Sequence, residues 1–302
     1  MTYFLEQLIN GICQGSIYAM VAIGFTMIAG IIGVVSFCYG ETVMLGAYIA
    51  YLIFSTMGAT YWAFLVTFIG MAIFAIIVHK VCYEPFFNSP RHISLMCTIG
   101  MGTIVKNLVN VFTNGQTLPV PRLFEGSIMV GPVTVSMVKV ASLTIVVLLC
   151  AFLSFLLNKT RTGVQLRAIS QNRKAASLLG INVSRMTMLG NILACGFGGI
   201  SGILFTLYYN SFYAYMGDKL SMKAFASSVL GGLTDIPVSA AGGYVISIAE
   251  NFGITVLPSG FRDVIAFVFL ILVLIVMPGG LSATMRKIAA YRERRKADAA
   301  AK

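Results

Sequence analysis

Two carboxylates in this chain stand where carboxylates are expensive. Glu41 ends the run Gly30-Ile-Ile-Gly33-Val-Val-Ser36-Phe37-Cys38-Tyr39-Gly40-Glu41, between two apolar stretches. Asp235 lies in Gly231-Gly232-Leu-Thr234-Asp235-Ile-Pro237-Val-Ser239, with Gly242-Gly243 beyond. A charged side chain at membrane depth is costly and usually faces a cavity or a partner. The chemistry such residues offer is non-covalent: a polar solute can be held and released. The glycines interrupt a helix at both places, and Pro237 cannot continue one without losing a backbone bond. Discontinuous helices whose ends meet at a transport site are a recurring device of transporters. Ser36, Tyr39, Glu41, Gly231, Gly232, Thr234, Asp235 and Ser239 are therefore the candidate translocation path. Plainer roles compete. An acid is favourable at a helix start, so Glu41 also suits a cap, and 231–243 also suits a short surface loop.

Covalent chemistry has no comparable support. Cys13, Cys38, Cys82, Cys97, Cys150 and Cys195 lie in or beside apolar runs without CxxC spacing, and read as small packing residues. His79 and His92 are far apart and lack metal-ligand company. No serine or cysteine is accompanied by a suitable His and acid. GxxxxGK[ST] is missing, so the chain has no P-loop. It reads as a non-enzyme with no cofactor or metal of its own.

The elements that must position the two acids are membrane helices. The chain is 58% hydrophobic and only 10% charged, against roughly a quarter charged in soluble domains. Apolar runs of about 20 residues span a bilayer as helices. Here the runs are continuous, which excludes the alternating pattern of a barrel. Candidates are 8–29, 43–57, 61–78, 93–112, 138–157, 187–207, 238–252 and 264–277, with 222–230 too brief to span. The expectation is an all-α polytopic protein of about eight helices with broken or re-entrant segments. Gly11 and Gly15, and Gly198-Gly199-Ile-Ser-Gly202, offer bare faces for close helix packing. The first apolar run lacks a basic leader region and is expected to be retained.

The net charge of +11 does not point to nucleic acid, because 13 of the 21 basic residues cluster in 158–185 and 286–302. That clustering marks both segments as cytoplasmic. The tail, with Tyr291-Arg-Glu-Arg-Arg-Lys296, suits anionic lipid. Counting back, 80–92 is also cytoplasmic, and 113–136 and 208–220 face outward. The segment 223–252 then leaves from and returns to the outer face as a broken pair. Inside 158–185 lies Arg173-Lys174-Ala175-Ala176-Ser177-Leu178-Leu179-Gly180, two helical turns closed by a glycine suited to the left-handed position. Two leucines in a polar loop need burial, which suggests a knob offered to a soluble partner. The alternative is a helix lying on lipid.

Taken in order, these segments resemble the permease subunits of bacterial ABC importers of the branched-chain amino acid (Liv) type. The likeness is carried by Asn10-Gly11 through Glu41 to Met44-Leu-Gly-Ala-Tyr48, by Thr160-Arg-Thr-Gly163 through Leu166-Arg-Ala168, and by Ala175-Ala-Ser-Leu-Leu-Gly-Ile-Asn182. It continues through Lys223-Ala-Phe225, Val229-Leu-Gly-Gly232, Ile236-Pro237 and Phe261-Arg-Asp263 to Met277-Pro278. The short N-terminus looks like the H-type subunit. The resemblance implies a permease domain over 1–285 with a coupling loop at 158–185, and a basic cytoplasmic tail over 286–302. It implies a second, M-type permease, two cytoplasmic ATP-binding subunits that use the ATP, a periplasmic binding protein and a bacterial inner-membrane location. Arg173, Lys174, Ala175, Ala176, Leu178, Leu179 and Gly180 would then dock on an ATPase. Lys174 departs from the family's acid before the two alanines. The run Ser36–Glu41, Val238-Ser239 and Lys106 depart from its usual residues too, which leaves urea, short amides or another small polar solute as alternative substrates. A stand-alone secondary transporter or channel would need no coupling knob.

Overall fold

The computed structural model describes residues 2–276 apart from 59, 88, 122, 124, 125, 131, 132, 234 and 256; the basic tail and Met277 lie outside the described residues. The helices are α1 (Thr2–Ile32), α2 (Tyr39–Met57), α3 (Trp62–Val78), α4 (Arg91–Phe112), α5 (Met137–Lys159) and α6 (Arg161–Gln171). They continue as α7 (Arg173–Leu178), α8 (Val183–Tyr209), α9 (Met216–Gly231), α10 (Ile236–Gly253) and α11 (Arg262–Val276). Four short strands, β1 (Leu118–Pro119), β2 (Ser127–Val130), β3 (Val133–Ser136) and β4 (Ser211–Phe212), pair antiparallel as β1 with β4 and β2 with β3.

Among the described residues, six helices are long and apolar enough to cross a membrane: Phe4–Ile32, Tyr39–Met57, Trp62–Phe86, His92–Phe112, Met137–Lys159 and Val183–Tyr209. The polytopic all-α class is therefore as expected, with six such helices among the described residues against the roughly eight expected, and two segments also differ in structure. The polar stretch 158–185 is not a loop with one small helix. Three residues able to cap helices organise it: Thr160 accepts from the Gly163 amide, Asn172 from Ala175 and Asn182 from Arg185, starting α6, α7 and α8. Leu166 and Ile169 then bury one face of α6. The second difference is α9. It begins six residues before the apolar run 222–230, because Met216–Ser221 continues the same helix.

α1 runs from the strand-bearing end toward the basic end. Its Asn10 carboxamide accepts from Lys139 at the start of α5, and its last turn lies beside Arg173. α9 leaves the strand-bearing end and α10 returns to it, antiparallel to α1, so that Gly11 faces Ile248 and Gly243 faces Ala19. The pair turns at Gly232 and Leu233, both with positive φ (86° and 62°). It corresponds to the two short segments 222–230 and 238–252 expected as a broken pair. The glycines expected to pack do so: Gly11 and Gly15 on α10, Gly199 and Gly202 on α2 and α3. At Gly202 a methyl group would run into the Val43 carbonyl, a backbone atom that cannot swing away. Gly202→Ala should accordingly push α2 off α8. We expect a clear loss of monodisperse protein in fluorescence-detected size exclusion; parental yield and melting would refute the tight contact.

Candidate functional site

The knob is α7 with its cap. Gly180 has φ +80°, its amide bonds to the Ser177 carbonyl (3.0 Å), and the Ile181 amide bonds to Ala176 (3.2 Å). This pair of bonds is a Schellman closure, which a residue with Cβ adopts at a cost. Leu178 and Leu179 are 87% and 79% exposed, beside exposed Lys174 and Ala175. Ala176 departs from the expected docking set. It is 2% exposed and points into its own chain, where it seats α7 on the body of the protein. Arg173 reaches inward as well. Its guanidinium donates to the Ile31 carbonyl (3.4 Å) and stacks over the Phe87 ring at 5.4 Å. A cavity of ≈ 450 Å³ lies there, lined by Gly30–Val34, Tyr83, Phe86, Phe87 and 169–174. The knob is thus tied to the place where α1 ends.

That place is the first candidate break. α1 stops at Ile32, Gly33 has φ +68°, and α2 begins at Tyr39. Ser36 is buried and accepts a hydrogen bond from the Tyr83 hydroxyl (2.8 Å). Tyr39 is fully buried, its ring edge-on to Phe25 and its hydroxyl donating to the Ala194 carbonyl (3.3 Å). Glu41 sits in the first turn of α2 and is 4% exposed. Its Oε2 has no hydrogen-bond partner among the described residues. It lies beneath the start of α9: Gly40 and Gly217 press backbone on backbone, and Glu41 Oε2 lies 2.9 Å from where a Cβ on Gly217 would be. One residue on, Asp218 takes Lys106 of α4 through both carboxylate oxygens (3.1 and 3.0 Å).

The second candidate break is elsewhere. Gly231 ends α9 flush against Ser239, Gly232 caps the helix in the left-handed conformation, and Asp235 starts α10. Ser239 donates to the Asp235 carbonyl (3.0 Å), and Thr234 lies outside the described residues. Asp235, Ile236 and Pro237 border a cavity of ≈ 590 Å³ together with parts of α1, α5 and α6. Glu41 is surrounded instead by α2, α4 and α9. The path residues therefore fall into two clusters, one among α2, α4 and α9 and one at the cavity bordered by α1, α5 and α6.

A third cluster, of ionisable groups on α9, α10 and α11, was not foreseen. Lys223 of α9 is 8% exposed at its side chain and pairs with Glu250 of α10 (2.9 Å, 0% exposed) and with Asp263 of α11 (3.1 Å). The Lys223 ammonium also donates to the Tyr18 hydroxyl (2.8 Å), and Gln14 donates to Glu250 (3.3 Å) while accepting from Asn251 (3.0 Å). Arg262 donates to the Tyr209 hydroxyl (2.8 Å) alongside. The sequence signal was available: Lys223 and Glu250 each interrupt an apolar run. Groups of three metal-ligating side chains do not occur among the described residues.

Comparison with known proteins adds a family to this geometry. Residues 7–277 match the family described as branched-chain amino acid transport system, permease component. The chain is 36% identical over 293 residues to the high-affinity branched-chain amino acid transport system permease protein LivH of Salmonella typhimurium, covering 92% of this chain and 95% of that protein. Identity to LivH of Escherichia coli strain K12 is 35% over the same shares. The permease protein BraD of Pseudomonas aeruginosa is 31% identical, again over 92% of this chain and 95% of its own.

Proposed function

The chain belongs to the branched-chain amino acid transport permease family, and from that membership we propose that it is the H-type membrane subunit of an ATP-driven importer of branched-chain amino acids. It performs no covalent step and binds no cofactor. A second, M-type permease completes the pore. Two cytoplasmic subunits bind and hydrolyse ATP, a periplasmic protein delivers the solute, and the assembly sits in the bacterial inner membrane with the basic tail in the cytoplasm.

The observation that carries this reading is the exposed leucine pair on a capped two-turn helix at the basic end. Among the described residues nothing covers Leu178 and Leu179, while hydrogen bonds at Asn172, Ala176 and Gly180 hold their helix at both ends. A rigid knob transmits displacement. Arg173 links it to the Ile31 carbonyl, so movement of α7 pulls on the break leading to Ser36, Tyr39 and Glu41. ATP-driven motion of the partner subunits would open and close the pore through that link.

Two measurements test this. The chain co-expressed with an M-type permease, two ATPases and a binding protein should import leucine, isoleucine and valine in an ATP-dependent way. Import of urea or short amides alone would reassign the substrate, and import without ATPases would replace the importer with a secondary transporter. Separately, Ser170→Cys, on the exposed side of α6, should resist an impermeant thiol reagent in intact cells and react in inverted vesicles. Ready labelling from outside would invert the topology and remove the ATPase contact.

A further inference from the structure

The meeting of α2, α4 and α9 places two carboxyls, Glu41 and Asp218, against one ammonium, Lys106. Both acids lie in the first turn of their helices, where the backbone amides favour negative charge. The two helix starts touch through Gly40 and Gly217. Glu41 is almost completely buried with its carboxyl against that of Asp218, and its Oε2 has no hydrogen-bond donor among the described residues. A buried polar atom left unpaired is costly and points to a group that completes it. Asp218 is not sealed in: its side chain is 47% exposed and that of Lys106 is 21% exposed. Both sit on an apolar, membrane-spanning scaffold, where charged groups face a cavity or a partner and not lipid.

We propose that Glu41, Asp218 and Lys106 form a subsite that receives the ammonium group of a zwitterionic solute during passage; this rests on the importer reading above. The solute's ammonium takes the place of the Lys106 ammonium on Asp218 and donates a further hydrogen bond to Glu41 Oε2. Lys106 swings aside on its flexible stem and is free to face the solute's carboxylate. When the solute leaves, Lys106 returns and closes the pair. A resident cation that competes with the solute keeps the site from holding it too tightly, as rapid passage requires.

The test uses the complete importer with its binding protein in proteoliposomes, with leucine uptake expressed per assembled complex. Asp218→Asn and Glu41→Gln keep volume and remove charge, and each is expected to lower maximal uptake at least ten-fold. The deciding variant is the exchange Lys106→Asp with Asp218→Lys. It preserves an ion pair between α4 and α9 but turns the carboxylate away from Glu41, so uptake should stay as low as in Asp218→Asn. Restoration to within about two-fold of the parent would show that the pair only ties two helices together, and would overturn the subsite. Parental uptake by Glu41→Gln would overturn it too, even if Asp218→Asn failed to accumulate. Leucine uptake by the parent reads the importer assignment separately, since that assignment fails there and the subsite fails only in the variants.

Discussion

A permease carrying Leu178→Asp should reach the membrane at the parental level and lose its ATP-binding subunits. The leucine is 87% exposed and touches little of its own chain, so the substitution removes nothing the fold needs. If α7 docks as proposed, the same position is buried in the complex. Burying a leucine is worth roughly 1.5–3 kcal/mol, and an aspartate there adds the cost of desolvating a charge. Every 1.4 kcal/mol is about a ten-fold change in affinity, so co-purification of the ATPases should fall by roughly 10- to 100-fold and uptake with it. Gly180→Val separates the turn from the groove. A Cβ at Gly180 meets nothing within 4 Å in the free chain, so inside the permease only the left-handed backbone is penalised, by roughly 1–2 kcal/mol. A larger loss of ATPase binding would come from the partner's wall. Ala176→Arg would be a poor probe, because Ala176 is buried within the permease and a long side chain there dislodges α7 itself. Normal assembly and uptake by Leu178→Asp would leave α7 as a helix resting on lipid.

The helical class, the break before α2 and the α9–α10 hairpin were legible because each rests on local sequence: apolar run length, glycine and proline placement, and basic clustering. What was missed depended on contacts between distant segments. α6 looked like polar loop because Leu166 and Ile169 are too few to announce an amphipathic helix, and only their burial against the rest of the fold gives it a face. The caps at Thr160, Asn172 and Asn182 were a usable signal for three helix starts in succession. Glu41 and Asp235 share a sequence style, acid beside glycine, but they border different elements: α4 and α9 in one case, α1, α5 and α6 in the other. Asp218, which does lie beside Glu41, is 177 positions away in the chain, a pairing with no local trace.

The largest effect on folding is expected at Glu250, which sequence reading left unassigned. Glu250→Ala strands the Lys223 ammonium in a site where its side chain is 8% exposed. Asp263 remains 3.1 Å away, but it is 41% exposed and cannot replace a fully buried carboxylate. Removing one partner of a buried ion pair costs about 3–5 kcal/mol, because the other charge is left uncompensated. Gln14 and Tyr18 of α1 lose a common acceptor in the same step, so α1 loosens from α10 as well as α9 from α10. The protein should aggregate on extraction or melt many degrees lower in a thermal size-exclusion assay. Replacing both charges, Lys223→Met with Glu250→Leu, removes the stranded ion and is often close to neutral for stability. That double variant should recover much of the lost melting temperature. If Glu250→Ala melts like the parent, the cluster is hydrated and open, and the hairpin is held by its glycine contacts with α1 alone. If the double variant recovers stability but not uptake, Lys223 and Glu250 act in transport beyond holding α1, α9, α10 and α11 together.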